Sequence, residues 1–134
     1  MCGILISNTN TALFKKALNQ QSFRGPDGNK TYEFDKTMLG FNYLSITGRK
    51  KDYWQPYKLK NYILLFNGEI YNYKELNKEI QKVNKNFKSD SDTKTLINYF
   101  LNFGIEKSLK NLRGMWSLCL LDTKKKTLFL SRDR

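Results

Sequence analysis

Histidine is absent from all 134 positions of the sequence. Its absence excludes a cysteine–histidine catalytic pair and most zinc sites, both of which draw on imidazole, so no metal site is expected. Cysteine is scarce: Cys2 and Cys119 allow one disulfide at most, and nothing marks a secreted chain in which one would persist. Nowhere do 18 apolar residues run together, and the opening MCGILISN has neither a basic leader nor a long apolar stretch. Neither a membrane span nor a secretory signal is therefore expected. Acidic residues are few, 12 against 24 lysines and arginines, for a formal net charge of +12. That excess raises the question of phosphate contacts. The lysines, however, interleave with asparagine and apolar positions in KKALNQ and KELNKEIQKVNKNFK, as on a solvated helix face, and no nucleic-acid motif accompanies them. The expectation is a cytoplasmic protein that binds neither nucleic acid nor membrane.

What is present suits one folded domain over 1–134: 40% of the residues are hydrophobic and 14% aromatic. GILIS (Gly3 to Ser7) reads as a buried strand, followed by a helix over Thr11 to Gln21 with Leu13, Phe14, Ala17 and Leu18 on one face. FRGPDGNK is turn chemistry, with Pro26 presetting φ and Asp27-Gly28 favouring reversal. KTYEF and TMLGFNYLSI read as a hairpin through Asp35-Lys36, TGRKKDYWQPY as a loop, and YILLF as an apolar strand stopping at Asn67-Gly68. Asn72 with Glu75 three residues on predicts a reciprocal cap before a helix striped by Leu76, Ile80 and Val83. SDSD precedes a second helix bearing Leu96, Ile97, Phe100, Leu101 and Phe103, which Gly104 stops, and Ile105 to Leu109 reads as a short third. MWSLCLLD and TLFLSR are two last strands joined by a lysine turn. Hairpins mixed with helices predict an α+β fold, with antiparallel sheets covered by helices.

The two cysteines differ in surroundings. Cys119 sits in an apolar run of strand length, where a free thiol behaves as a small hydrophobe. Cys2 has no such cover. A thiol attacks as the thiolate, and an ordinary cysteine, with a pKa of about 8.5, needs a base to supply one at neutral pH. If Met1 is removed, the α-amino group of Cys2 lies beside the sulfur, and such amines ordinarily titrate at about 7.7–8.0. An N-terminal residue then carries both nucleophile and base, and histidine is not required.

Taken together, MCGI at the start, RGPDG at 24–28, YLSI at 43–46, QP at 55–56, NGEIYNY at 67–73, SDSDT at 89–93 and RGMWSLCLLD followed by LSRDR resemble the glutamine amidotransferase domain of asparagine synthetases. That family belongs to the N-terminal-nucleophile class, and the resemblance runs in order along the whole chain. It implies an αββα sandwich in which Cys2 attacks the side-chain amide of glutamine to give a thioester and ammonia. Asn67 and Gly68 match the family's oxyanion hole, where an amide NH2 and a backbone N–H stabilise the tetrahedral intermediate. Read as plain sequence, Asn-Gly is also a reversal turn. Glu69 and Asp92 match positions that face the substrate's ammonium group, although Asp92 equally suits a helix's first turn. Arg24 resembles a residue that supports the nucleophile, or it fastens its turn to the strand behind.

The chain departs from the family pattern in several places. Tyr43, Leu44, Ser45 and Ile46 stand in a substrate-binding stretch where many asparagine synthetases begin with arginine, which pairs with the α-carboxylate of glutamine. Tyrosine cannot make that bidentate clamp. Arg49, or its neighbours Lys50 and Lys51, is expected to supply the charge instead. Phe23 stands where relatives often have histidine, and Lys94 where an acid is common. The ATP-dependent synthetase domain that relatives carry after this point is absent from the 134 residues. ATP and Mg are expected only there, no cofactor is expected in this domain, and glutamine and a synthetase domain or subunit are the expected partners. Two other readings stay open: an amidotransferase serving another acceptor such as a sugar acid, and a non-catalytic module that binds glutamine or docks a partner.

Overall fold

Apolar side chains alternate along the strands, and that alternation decides the architecture. A computed structural model of the chain describes residues 2–8, 10–45 and 54–134. Its elements are β1 (Gly3–Ser7), α1 (Thr11–Gln20), β2 (Asn29–Phe34), β3 (Thr37–Asn42), β4 (Tyr57–Leu59), β5 (Tyr62–Ile70), α2 (Tyr73–Val83), α3 (Asp92–Phe103), α4 (Ile105–Asn111), β6 (Gly114–Asp122) and β7 (Thr127–Arg132). The strands form two antiparallel sheets, ordered β1-β3-β2 and β4-β5-β6-β7.

Between the sheets, Leu39 and Phe41 of β3 meet Ile63 and Leu65 of β5 and Cys119 and Leu121 of β6. The alternate residues Leu64, Phe66, Leu118 and Leu120 face the other way, onto Leu76 and Ile80 of α2 and Leu96, Ile97, Tyr99 and Phe100 of α3. On the outer side of the smaller sheet, Phe14 and Leu18 of α1 pack on Met38. The layers therefore run helix, sheet, sheet, helices, as the αββα expectation has it. β5 is buried on both faces from Ile63 to Phe66, which is why its sequence there is an unbroken apolar run. Each such side chain contributes about 1.5–3 kcal/mol of transfer free energy, and truncating one to alanine costs about 2–5 kcal/mol.

Several boundaries differ from those expected. β5 does not stop at Asn67-Gly68 but continues to Ile70, because Asn67, Gly68 and Glu69 pair with Ser117, Trp116 and Met115 of β6. The turn reading of Asn-Gly therefore fails. β3 ends at Asn42 because Tyr43 turns to the preceding loop, donating to Gly28 O at 2.8 Å and accepting from the Asp27 amide at 3.0 Å. β4 begins at Tyr57, the last residue of the expected loop, which pairs with Leu64; three residues are too few to show alternation. Asn72 precedes α2 without capping it, since its side chain donates to Asn111 O at 2.9 Å and accepts from the Arg113 amide at 3.0 Å. Leu13 and Val83, expected on apolar faces, are exposed at the margins of their stripes. Ser91 caps α3 through its hydroxyl, and Gly104 ends it.

Asp122 ends β6 as a buried carboxylate. It accepts from Asn61 Nδ2 at 2.8 Å and from the amides of Lys124 at 3.0 Å and Lys125 at 3.1 Å. Burial raises its pKa, but those hydrogen bonds and the Lys125 charge outweigh burial and hold it below the usual carboxylate range. A depressed folded pKa gives stability that is present above the unfolded value of about 3.9 and is lost as pH falls through the folded one. Urea unfolding should find Asp122→Asn less stable than wild type at neutral pH, with the gap closing as pH is lowered from about 5 to about 2. A gap that stays constant over that range would contradict the assignment.

Candidate active site

Cys2 sits half-buried just ahead of β1 and packs on the cluster between the sheets. The Leu44 amide donates to its sulfur at 3.4 Å, and the Leu44 carbonyl lies 3.9 Å from it. Arg24 Nε donates to the Cys2 carbonyl at 3.4 Å, so the residue is held at both sulfur and backbone. Arg24 is placed by a 3-10 turn, Ser22–Arg24, and by Gly25 after it. A Cβ on Gly25 would stand 2.3 Å from the Asn42 carbonyl, so only glycine lets this turn lie flush against the end of β3. Asp27 completes the attachment by accepting from the Ser45 amide at 2.6 Å. In the sequence Asp27 reads as turn chemistry alone; its carboxylate also fixes the chain on which Leu44 and Ser45 stand.

The second group lies at the end of β5, two residues beyond Leu65, which belongs to the same cluster that Cys2 packs on. Phe66 is held from the side opposite β6: Gln55 Nε2 donates to its carbonyl at 2.8 Å, and its amide donates to Gln55 Oε1. Four residues on, the Ile70 amide donates to Asp92 Oδ2 at 3.2 Å. Strand amides alternate between the two edges, so Gly68, midway between Phe66 and Ile70, turns its N–H to this same edge. Gly68 has φ of +151°, and a Cβ there would stand 2.1 Å from Met115 O. No other residue lets β5 and β6 approach so closely at that position.

Asp92, the first residue of α3, is half-buried, and its other oxygen accepts from the Thr93 amide at 2.7 Å. Burial pushes its pKa up; the amides of Ile70 and Thr93 pull it down without cancelling the rise, and the nearby Glu69 charge adds to it. A partly desolvated carboxylate within the field of a second one favours a cation.

Other expected site residues stand differently. Tyr43 is only 6% exposed; its ring stacks on Trp54 at 5.8 Å and packs with the core between the sheets. Its ring is thus part of the packing between the sheets. Leu44 and Ser45 contribute their backbones. Ile46 and Arg49 lie outside the described residues, as do Lys50 and Lys51. Cys119 is fully buried, and burial pushes its thiol up to about 12, so it is no rival nucleophile. Gln55 carries no functional signal in the sequence beyond its place in the QP motif.

Because the folded pKa of Asp92 is raised, its ionisation works against the fold, and stability falls as pH climbs from the unfolded value of about 3.9 through the folded one. Asp92→Asn should therefore gain on wild type in thermal unfolding as pH rises from about 3 to about 7. A difference independent of pH would refute the assignment.

Comparison with known proteins gives one consistent picture. The glutamine amidotransferase domain family matches residues 1–134. Asparagine synthetase [glutamine-hydrolyzing] 3 of Bacillus subtilis is 30% identical over 148 aligned residues, covering 100% of this chain and 23% of that protein. Asparagine synthetase [glutamine-hydrolyzing] 1 of the same organism is 34% identical, covering 88% of this chain and 19% of its own length. The asparagine synthetase of Rattus norvegicus is 30% identical over 99% of this chain and 25% of its own. This chain thus spans about a quarter or less of each of these relatives. Among solved structures, the glutamine phosphoribosylpyrophosphate amidotransferase of B. subtilis superposes with a TM-score of 0.57 at 20% identity, over 73% of this chain and 23% of that one, which shows a shared fold. By its sequence match over every residue and by its two-sheet sandwich, the chain belongs to the glutamine amidotransferase domain family.

Proposed function

We propose that the chain hydrolyses the side-chain amide of glutamine at Cys2 and supplies the ammonia to an ATP-dependent synthetase that makes asparagine from aspartate. The observation that carries this reading is the second residue, half-buried, its thiol held by the Leu44 amide and its carbonyl by Arg24, on the same core cluster as the strand bearing Asn67 and Gly68. With no histidine in the sequence, the base is the α-amine of Cys2 after removal of Met1. The amine takes the thiol proton, and the thiolate adds to the amide carbon. The Gly68 N–H and the Asn67 side chain stabilise the oxyanion. Donors of this kind are worth roughly 3–4 kcal/mol each. Collapse breaks the C–N bond, the α-ammonium returns its proton to the departing nitrogen, and ammonia leaves. Water then cleaves the thioester to glutamate and regenerates the thiol.

Glu69 and Asp92 receive the ammonium group of the substrate, and the cost of keeping Asp92 ionised in the empty protein is recovered when that cation binds. Because Tyr43 cannot make the bidentate clamp of the family's arginine, the α-carboxylate falls to Arg49. The domain itself uses no cofactor; ATP and Mg belong to the synthetase. Among the described residues no helix is long and apolar enough to cross a membrane, and the proposed chemistry is cytoplasmic, involving neither membrane nor nucleic acid.

Purified protein should release ammonia from glutamine, and Cys2→Ser should reduce the rate by roughly 10³-fold or more. Ammonia release that survives Cys2→Ser would overturn the assignment. In the same assay Arg49→Ala should raise KM with kcat little changed; an unchanged KM removes Arg49 from the pocket.

A further inference from the structure

β4 pairs with β5 only from Tyr57 opposite Leu64 to Leu59 opposite Tyr62. Continuing that register by two residues on each strand sets Gln55 opposite Phe66. At that position the partner is not another backbone: the Gln55 carboxamide donates to the Phe66 carbonyl at 2.8 Å and accepts from the Phe66 amide. A primary amide carries the same donor and acceptor as a peptide group, so one side chain substitutes for a missing strand residue. Gln55 is 4% exposed, so water cannot take over those bonds. Phe66 directly precedes Asn67.

We infer that Gln55 is a positioning residue for glutamine hydrolysis: by completing the edge of β5 at Phe66 it sets the direction in which Asn67 and Gly68 present their donors. The inference rests on the function proposed above. On this edge the Phe66 amide is taken by Gln55 and the Ile70 amide by Asp92, and the Gly68 amide stands between them. Bracketing the donor on both sides holds it before substrate arrives. Preorganisation of this kind raises kcat, because the oxyanion it serves exists only in the transition state and intermediate. Releasing one bracket leaves ground-state binding of glutamine at Glu69 and Asp92 intact.

Gln55→Ala should lower kcat by about 10- to 100-fold, less than full loss of an oxyanion donor, with KM changed by less than about 3-fold. Alkylation of Cys2 by iodoacetamide passes through no oxyanion and should keep its rate within about 2-fold. Cys119 should stay unmodified, which verifies that the fold is intact. Gln55→Glu adds a readout that packing alone would not move. Its neutral carboxyl accepts from the Phe66 amide and donates to the Phe66 carbonyl, whereas its ionised form cannot donate. The kcat of Gln55→Glu relative to wild type should therefore rise as pH is lowered. Wild-type kcat in Gln55→Ala would overturn the inference, as would a parallel loss of Cys2 alkylation or a flat relative pH profile in Gln55→Glu. If wild-type protein releases no ammonia from glutamine, the proposed function falls and takes this inference with it; an active wild type with an indifferent Gln55→Ala overturns this inference alone.

Discussion

β5 runs through the middle of the larger sheet, buried on both faces from Ile63 to Phe66, and its last residues include Asn67, Gly68 and Glu69 of the candidate site. The way this strand leaves the core governs the rest. Toward β6, the Gly68 backbone comes closer than any side chain would permit, and the ladder continues to Ile70 opposite Gly114. On the other edge the regular partner, β4, covers only Tyr62 to Leu64, and side chains take over: Gln55 at Phe66 and Asp92 at Ile70. Strand geometry imposed by packing thus ends in backbone groups held in place by side chains, and Cys2 packs on the same core cluster as Ile63 and Leu65 of this strand.

The electrostatics follow from that arrangement. Asp122 and Asp92 are both removed from water, with opposite outcomes. Three close donors keep Asp122 ionised, and it serves the fold by tying Asn61 to the turn before β7. Asp92 has the amides of Ile70, Thr93 and its own residue as donors and a neighbouring acid, yet burial tips the balance against its charge. In the function proposed above, the substrate's ammonium group offsets that cost. The thiols divide similarly. Cys119, deep between the sheets, is silenced by burial, while Cys2 stands half-buried at the end of the sheet.

Much of the fold is legible in the sequence because alternation and amphipathic stripes report burial directly. YILLF and MWSLCLLD are strands, the second-half helices are helices, and the two-sheet sandwich agrees with the family resemblance. What escapes sequence reasoning depends on partners distant in the chain. That Asn67 to Glu69 remain in strand is decided by Ser117, Trp116 and Met115, about 50 residues away, which local turn propensity cannot register. Asn72 resembles a cap because its neighbours fit one, yet Asn111 and Arg113 claim its side chain. The packing of Tyr43 on Trp54 and the inter-sheet core likewise depends on partners that its motif does not name. Gln55 has no local signature: a carboxamide standing in for a strand is visible only once the register of β4 against β5 is known.

In the proposed mechanism the chain's own amine and the thiol beside it perform the chemistry, without histidine. The most direct measurement is the mass of the N-terminal peptide from protein quenched in acid during glutamine turnover. The expected result is a peptide that begins at Cys2 with a free α-amine and carries a γ-glutamyl thioester on that residue. A peptide from active protein that still begins at Met1, or an acyl group on any other residue, would contradict it.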